Sequence, residues 1–527
     1  MQYNILTEPW VSVIDKADKR QNVSLLTLLE HADEYREISY QMAMVESSVL
    51  LFLINFVTDA YVTYYQNQAD DDDDDEVPMI CFPKVGESID MNIIQYYLNV
   101  CYQEGVSFDL FDCEHPFYQI WDDLSKATIV SVGELDPRVP TGNNSFFIAR
   151  STDVCYTPAE AFVLLLSRAR YAPNMGGSAA IGNLNGSDLM FFFRRGETVY
   201  ETIIKNILQH GRGGNTFDTE QYGIPWYRCM NKVNDDVAVL DHELGWLNGT
   251  FFMRHVYRLI PDENGISQIY FQYGFGKKSR DYPTWRDPYQ MYVPNKDGVY
   301  YPLNATRAVG LCYNEHLVLD SLLAGIPLGT SVFGLAANDA LINSQDFGFV
   351  VYEQTQNRGA TVISDIREDI VIPGIMFCDT DVSRAYKLFV TTCVNQVNIV
   401  RDLLYRHVLR SVRKIQLYGT DKDARPVVGD VVQSSYSVGV KLLFESVILY
   451  DASHYDTEDA FRDTFELSVK WRQLLYDFAM SAWKSCMMHF VSQAKYRIPF
   501  LVEQKLFDYS VKKELSLLPN KKETEVS

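Results

Sequence analysis

Apolar and polar residues alternate in short runs over roughly the first 370 positions, as in WVSVID, RHVYRLIPDENGISQIYFQYGF and DGVYYPL. Alternation with period two, bounded by Gly, Pro and Asn, marks half-buried strands, and the DENG turn (Asp262–Gly265) between two such runs predicts a hairpin. Helical periodicity occupies Glu46–Tyr65, Pro158–Ala169 and Val199–His210. The longest apolar run, SSVLLFLINFV (Ser47–Val57), is too short for a bilayer and contains Asn55, so it reads as a buried helix and no membrane partner is expected. After VIPGIMFCDTD the texture changes. Asp379–Gln416 is one long helical pattern, with Asp379 or Asp381 as N-cap. Turn material, YGTDKDARPVVGD, then precedes helical patterns over Val431–Tyr450, Ala460–Gln493 and Pro499–Leu517. The expected fold class is α+β: a large mixed N-terminal domain (residues 1–375) followed by a C-terminal antiparallel four-helix bundle (376–527).

Composition sharpens this picture. With 527 residues, 47% of them hydrophobic, the chain can bury more than one core, which excludes global disorder. Nine cysteines stand singly, with no CxxC pair, as expected of reduced thiols in a cytoplasmic protein without a zinc ribbon. The opening MQYNILTEPW has no basic region leading into an apolar core, so nothing there suggests secretion. The net charge of −22 opposes phosphate binding by the surface as a whole. Seven of those charges sit in the run 70–76, an acidic insertion read as a solvated loop, and the rest of the chain carries −15. Local basic sites remain compatible with that total, particularly if companion subunits supply positive surface.

No catalytic constellation emerges. HELGW (His242–Trp246) lacks the second imidazole of a zincin helix, and the chain has no Walker A loop, no GxSxG and no strand-linked GxGxxG. No metal or cofactor is expected. The rival to a binding role is a hydrolase with a dispersed site drawn from His242, Glu243 or Asp287, although Asp287 in WRDPY reads better as a turn or cap than as an acid.

Four segments have the chemistry of nucleic-acid contact. YAPNMGGSAAIGNLNG (Tyr171–Gly186) is bare backbone, either a surface connection or a place where another backbone comes close, and Arg194 and Arg195 follow it in FFFRRG. GFGKKSR carries Lys277 and Lys278 between aromatics. Arg406, Arg410, Arg413 and Lys414 share one face of the first C-terminal helix, either as a wet face or as a track for phosphates. GNNSFF ends in Phe146 and Phe147, which could stack on unpaired bases or anchor the loop to a core.

Taken in order, NILTEPWVSV, FDLFDCEHPFYQI, GNNSFF, YAPNMGGSAAIGNLNG with FFFRRG, GWLNGTFFMRH and WRDPY resemble the CasA family, the large subunit of the type I-E CRISPR Cascade complex. The resemblance spans nearly the whole chain. It implies a non-catalytic subunit of an RNA-guided antiviral surveillance complex that recognises the protospacer-adjacent motif (PAM) in duplex DNA, helps start strand separation and recruits a separate helicase-nuclease. Implied partners are double-stranded target DNA, crRNA, the backbone, small-subunit dimer and handle-binding subunits of Cascade, and that helicase-nuclease. By the same resemblance Gly176, Gly177, Ser178 and Ala179 form the PAM minor-groove loop, and Lys277 or Lys278 is the minor-groove lysine. Phe147, with Phe146 beside it, meets the guide's 5′ handle. The family's wedge, glutamine before alanine, falls on FGLAANDAL and puts Asp339 between Asn338 and Ala340. A carboxylate there is repelled by phosphates, so the alternatives are that Asn338 takes the role or that the wedge lies elsewhere in the chain. Ala179 and Ala180 also make the loop leaner in glycine than the family pattern.

Overall fold

A computed structural model of the chain describes residues 1–68, 80–119, 124, 127–139, 154–171, 189–208, 223–229, 245–251, 256–272, 287–290, 292–294, 300–302, 347–356, 362–372, 381–417, 420–451, 464–491 and 497–518. These residues form a mixed fold of helices and small sheets, divided into two compact units. The first comprises Met1–Thr306, Pro327–Ala336 and Gly348–Ile370; the second comprises Arg307–Ile326, Ala337–Phe347 and Val371–Ser527.

In the first unit, β1 (Val11–Asp15) lies between β2 (Arg20–Val23) and, past α1 (Leu25–Glu30), β3 (Tyr35–Ile38), antiparallel to both. Next comes α2 (Ala43–Gln68), which contains the SSVLLFLINFV run. It has neither Gly nor Pro, and it is buried on every side from Ala43 to Thr63. A helix that is apolar all round belongs inside, and this one is the axis of the unit's core. Its Phe52 meets Trp10, Phe117, Phe162 and Phe251 edge-on at 5.8–6.4 Å. Asn55, the polar break in the run, is anchored there through its amide nitrogen: Nδ2 donates to Thr250 Oγ1 (2.8 Å) and to Leu247 O (3.2 Å).

Among the described residues, the further strands and α-helices that fall wholly or mainly in this unit are α3 (Met91–Gln103), β4 (Thr128–Ser131), α4 (Pro158–Tyr171), β5 (Leu189–Arg194), α5 (Val199–Lys205), α6 (Trp226–Cys229), α7 (Trp246–Thr250), β6 (Val256–Pro261), β7 (Ile266–Gln272), β8 (Tyr292–Pro294), β9 (Tyr300–Pro302), β10 (Phe347–Gln356) and β11 (Val362–Ile372). Their sheets run β4-β7-β6, β11-β10-β5 and β8-β9. The expected DENG hairpin is present as β6–β7, with Asp262 accepting backbone N–H bonds from Asn264 and Gly265. Gly265 has φ +143°, and a Cβ there would lie 2.6 Å from Tyr156 O, so the turn requires glycine. α4 starts on a reciprocal cap: Glu160 N donates to Thr157 Oγ1 while Glu160 Oε2 accepts from Thr157 N. Pro158 fills the first helical position, where a missing N–H costs nothing. α5 ends at Lys205, short of the His210 expected from periodicity. Asn206 stops it by giving its side chain to β5: Oδ1 accepts from Arg194 N and Nδ2 donates to Arg194 O, both at 2.8 Å.

The second unit's described helices are α8 (Asp381–Lys414), α9 (Asp421–Val432), α10 (Val438–Phe444), α11 (Thr464–Phe490) and α12 (Arg497–Glu514), with π-helical turns at Gln433–Ser437 and Glu445–Asp451 flanking α10. The TDKDARPVVGD stretch, expected to be turn, is helical from Asp421 despite Pro426. Proline near the N-terminus loses a single intrahelical bond. Burial of Ala424, Val428, Val431 and Val432, on a helix that packs against α8 and α11, outweighs that loss. Trp471 lies against Phe444, and Trp483 stacks on Phe507 at 5.1 Å. Gly439 lets α10 approach α11 so closely that a Cβ would sit 2.5 Å from the Phe478 ring.

Candidate nucleic-acid interface

The described residues around the glycine-rich segment form a buried frame. Residues 172–188, which include Gly176, Gly177, Ser178 and Ala179, lie outside the described residues, as do Phe146, Phe147, Lys277, Lys278, Asn338, Asp339, Ala340, His242 and Glu243. What the structure gives is the roots of these segments. Segment 172–188 leaves from Tyr171 at the end of α4 and returns at Leu189 on β5, and Gln354 of β10 meets both ends. Gln354 Nε2 donates to Tyr171 O (3.3 Å), and Gln354 is in register with Leu189. Tyr171 is held a second time by Ser47 of α2, with the two hydroxyl oxygens 2.5 Å apart.

A buried ion pair ties this root to a second one. Arg170, fully buried in α4, places Nη1 3.1 Å from Oδ2 of the equally buried Asp287, the first described residue after segment 273–286. Arg170 also donates to Thr250 O (3.3 Å) and stacks its guanidinium 3.6 Å from the Phe191 ring centroid on β5. Burial pushes the Asp287 carboxyl up, opposed by the guanidinium beside it and by the backbone N–H of Tyr289. Two further bonds lock the same junction: Phe192 N donates to Tyr289 O (2.8 Å), and Tyr289 OH donates to Asn206 O (2.8 Å). Arg168, two residues back, reaches Tyr257 OH on β6 through Nε (3.0 Å). Segment 140–153 ends beside β7, through the Tyr156↔Ile266 bridge. The glycine segment, the lysine segment and the GNNSFF segment therefore spring from a single frame of α4, β5 and the β6–β7 hairpin.

Asp287 takes the expected turn role, its carboxylate accepting from Tyr289 N (2.9 Å), and at 0% exposure it is also half of a buried ion pair. One expectation changes here. Arg194 does not face out beside Arg195. Strand alternation turns it inward, 7% exposed, with Nη1 donating to Lys205 O, while Arg195 is exposed and paired with Asp369 at 3.2 Å. Arg406, Arg410 and Arg413 are exposed on α8 as expected, whereas Lys414 is engaged with Glu503 at 2.6 Å. Sequence reasoning passed over Arg168, Arg170 and Gln354. Two arginines inside the apolar LLLSRARY were the available signal, because charge on a buried helix face needs a partner.

The fold is shared with solved structures of CRISPR-associated proteins. Solved structures of Cse1 from Thermobifida fusca (TM-score 0.69, 15% identity, covering 98% of this chain and 99% of that one) and of CasA (Cse1) from Thermus thermophilus (0.68, 16%, 98% and 100%) share its architecture. So does a chain in a CRISPR RNA-guided surveillance complex (0.57, 15%, 96% and 99%). Residues 4–313, more than half of the sequence, match CRISPR-associated protein Cse1 (CRISPR_cse1), and the chain belongs to that family. No match was found among curated proteins.

Proposed function

We propose that this chain is the large, non-catalytic subunit of a cytoplasmic Cascade-type complex, that it reads the PAM in duplex DNA, helps begin strand separation, and helps recruit the helicase-nuclease. Membership of the Cse1 family supports this reading, as does likeness to a chain of an RNA-guided surveillance complex. The structural observation that carries it is the Arg170–Asp287 pair, which roots the glycine and lysine segments together. Loops that must act on one stretch of duplex need a common, rigid base. In this reading Gly176–Ala179 lie along the minor groove, where small side chains permit close approach and a degenerate donor/acceptor pattern tolerates several PAMs. Lys277 or Lys278 enters the same groove, Asn338–Ala340 wedge the first base pair, and Phe146 and Phe147 meet the guide RNA. Arg195, Arg406, Arg410 and Arg413 supply phosphate contacts, and the second unit's helices close into an antiparallel four-helix bundle. Separating a base step costs roughly a few kcal/mol, after which guide pairing continues the exchange.

The test is target binding by the assembled complex. Replacing Lys277 and Lys278 together with Ala should weaken binding to a PAM-bearing duplex and reduce its salt dependence by about one to two phosphate contacts. Unchanged affinity and salt slope would remove these lysines from the interface.

A further inference from the structure

The terminal helix α12 carries two apolar faces, and the fold uses one. Phe500, Glu503, Phe507 and Val511 are buried, with Phe500 and Phe507 against Trp483. On the other side Ile498, Leu501, Val502, Leu506 and Tyr509 are 50–65% exposed. Their spacing of i, i+3, i+4, i+8 and i+11 draws one stripe along the helix, about 17 Å long at the α-helical rise. Isolated exposed leucines are ordinary, but five large apolar side chains in register form a patch of the kind that marks an interaction site.

The polar residues around the stripe indicate what covers it. Arg497, Lys505 and Lys513 are exposed on the same side, interleaved with the apolar positions at four-residue steps. The basic side of α8 borders α12, because Lys414 reaches across to Glu503, and Arg410 and Arg413 are exposed on that side of α8. The acids nearby are turned away or remote: Glu503 is buried, Asp508 accepts from Tyr476 OH and from Lys512 Nζ, and Glu514 lies at the helix end. A second copy is a poor fit, since antiparallel pairing of two α12 helices sets the central Lys505 against itself. Duplex DNA would use the cations but leave the aliphatic stripe unmatched.

We propose that the outer face of α12 docks an amphipathic helix of a protein partner, with aliphatic residues along one side and Asp or Glu flanking them. Apolar contact would supply affinity and the carboxylates would set orientation and encounter rate. This inference rests on the aliphatic stripe and the cations of α12 itself, and its test does not involve the α8 arginines assigned above to phosphate contacts.

The experiment uses the full chain and a labelled synthetic helix of about five turns, with leucines three and four apart and glutamates on both sides, followed by fluorescence anisotropy. A second peptide carries lysine in place of each glutamate. At low salt the glutamate peptide should bind at least about tenfold more tightly than the lysine peptide, and high salt should narrow the gap. Leu501→Asp with Leu506→Asp should cost about tenfold or more, and Lys505→Glu should invert the preference, with melting temperatures unchanged because all three positions are exposed. The proposal is overturned by absence of peptide binding, by equal binding of the two peptides, or by binding that survives the double substitution. It is equally overturned if the double substitution instead abolishes a homodimer, adhesion to phosphatidylglycerol vesicles or duplex binding.

Discussion

Arg168 and Arg170 lie where an apolar helix would place leucines, and each is buried against polar groups from elsewhere in the fold, Tyr257 for Arg168 and Asp287 with Thr250 O for Arg170. A fully buried pair adds little net stability over an apolar replacement, but breaking one leaves an uncompensated charge inside the fold. Arg170→Met and Asp287→Leu should therefore each cost about 3–5 kcal/mol in denaturant unfolding, while the double substitution should recover much of that loss. Additive losses would mean that the two side chains are not coupled. The same scale explains Arg194 and Arg195. Adjacent in sequence, they point to opposite faces because a strand has period two, and that turned one expected phosphate contact into a packed side chain.

At the scale of elements, local chemistry was legible in the sequence and long-range chemistry was not. The helices expected at Glu46–Tyr65 and Pro158–Ala169 appear at Ala43–Gln68 and Pro158–Tyr171, and the DENG hairpin is where its turn residues put it. Those signals are neighbours in the chain: a Thr-Pro-Ala-Glu cap, an Asp-Glu-Asn-Gly turn, an unbroken apolar run. The early end of α5 was hidden because Asn206 stops it by bonding a strand twelve residues back, and the helix through Pro426 was hidden because burial against other helices decided it. The Arg170–Asp287 pair spans more than a hundred residues, and no spacing rule could have announced it. Between α8 and α12 a comparable cluster is open to a pH test. Burial acts to raise the Glu503 carboxyl, but Lys414 and His407 hold it below the usual range. A depressed carboxyl contributes stability above its unfolded pKa, about 4.3, and loses that contribution as pH falls through the lower folded value. Glu503→Gln should accordingly lower Tm by several degrees at neutral pH, with the deficit shrinking below about pH 4. A deficit independent of pH would assign the effect to packing.

For the whole molecule, the proposed DNA role requires an acidic chain to keep its positive potential local. The net charge of −22 works against indiscriminate phosphate binding, while the exposed Arg195 and the arginines of α8 supply cations at particular places. The buried frame of α4, β5 and the β6–β7 hairpin gives the glycine and lysine segments a rigid common base. In the proposed function the glycine segment itself reads the duplex. The most direct test is the affinity of the assembled complex for targets with and without the PAM, comparing the native chain with Gly176→Phe plus Gly177→Phe. Bulk at these positions should erase the PAM preference, dropping affinity for the PAM-bearing target at least about tenfold toward that of the PAM-less one, with Tm unchanged. A fully retained preference in a folded, assembled variant would contradict the claim.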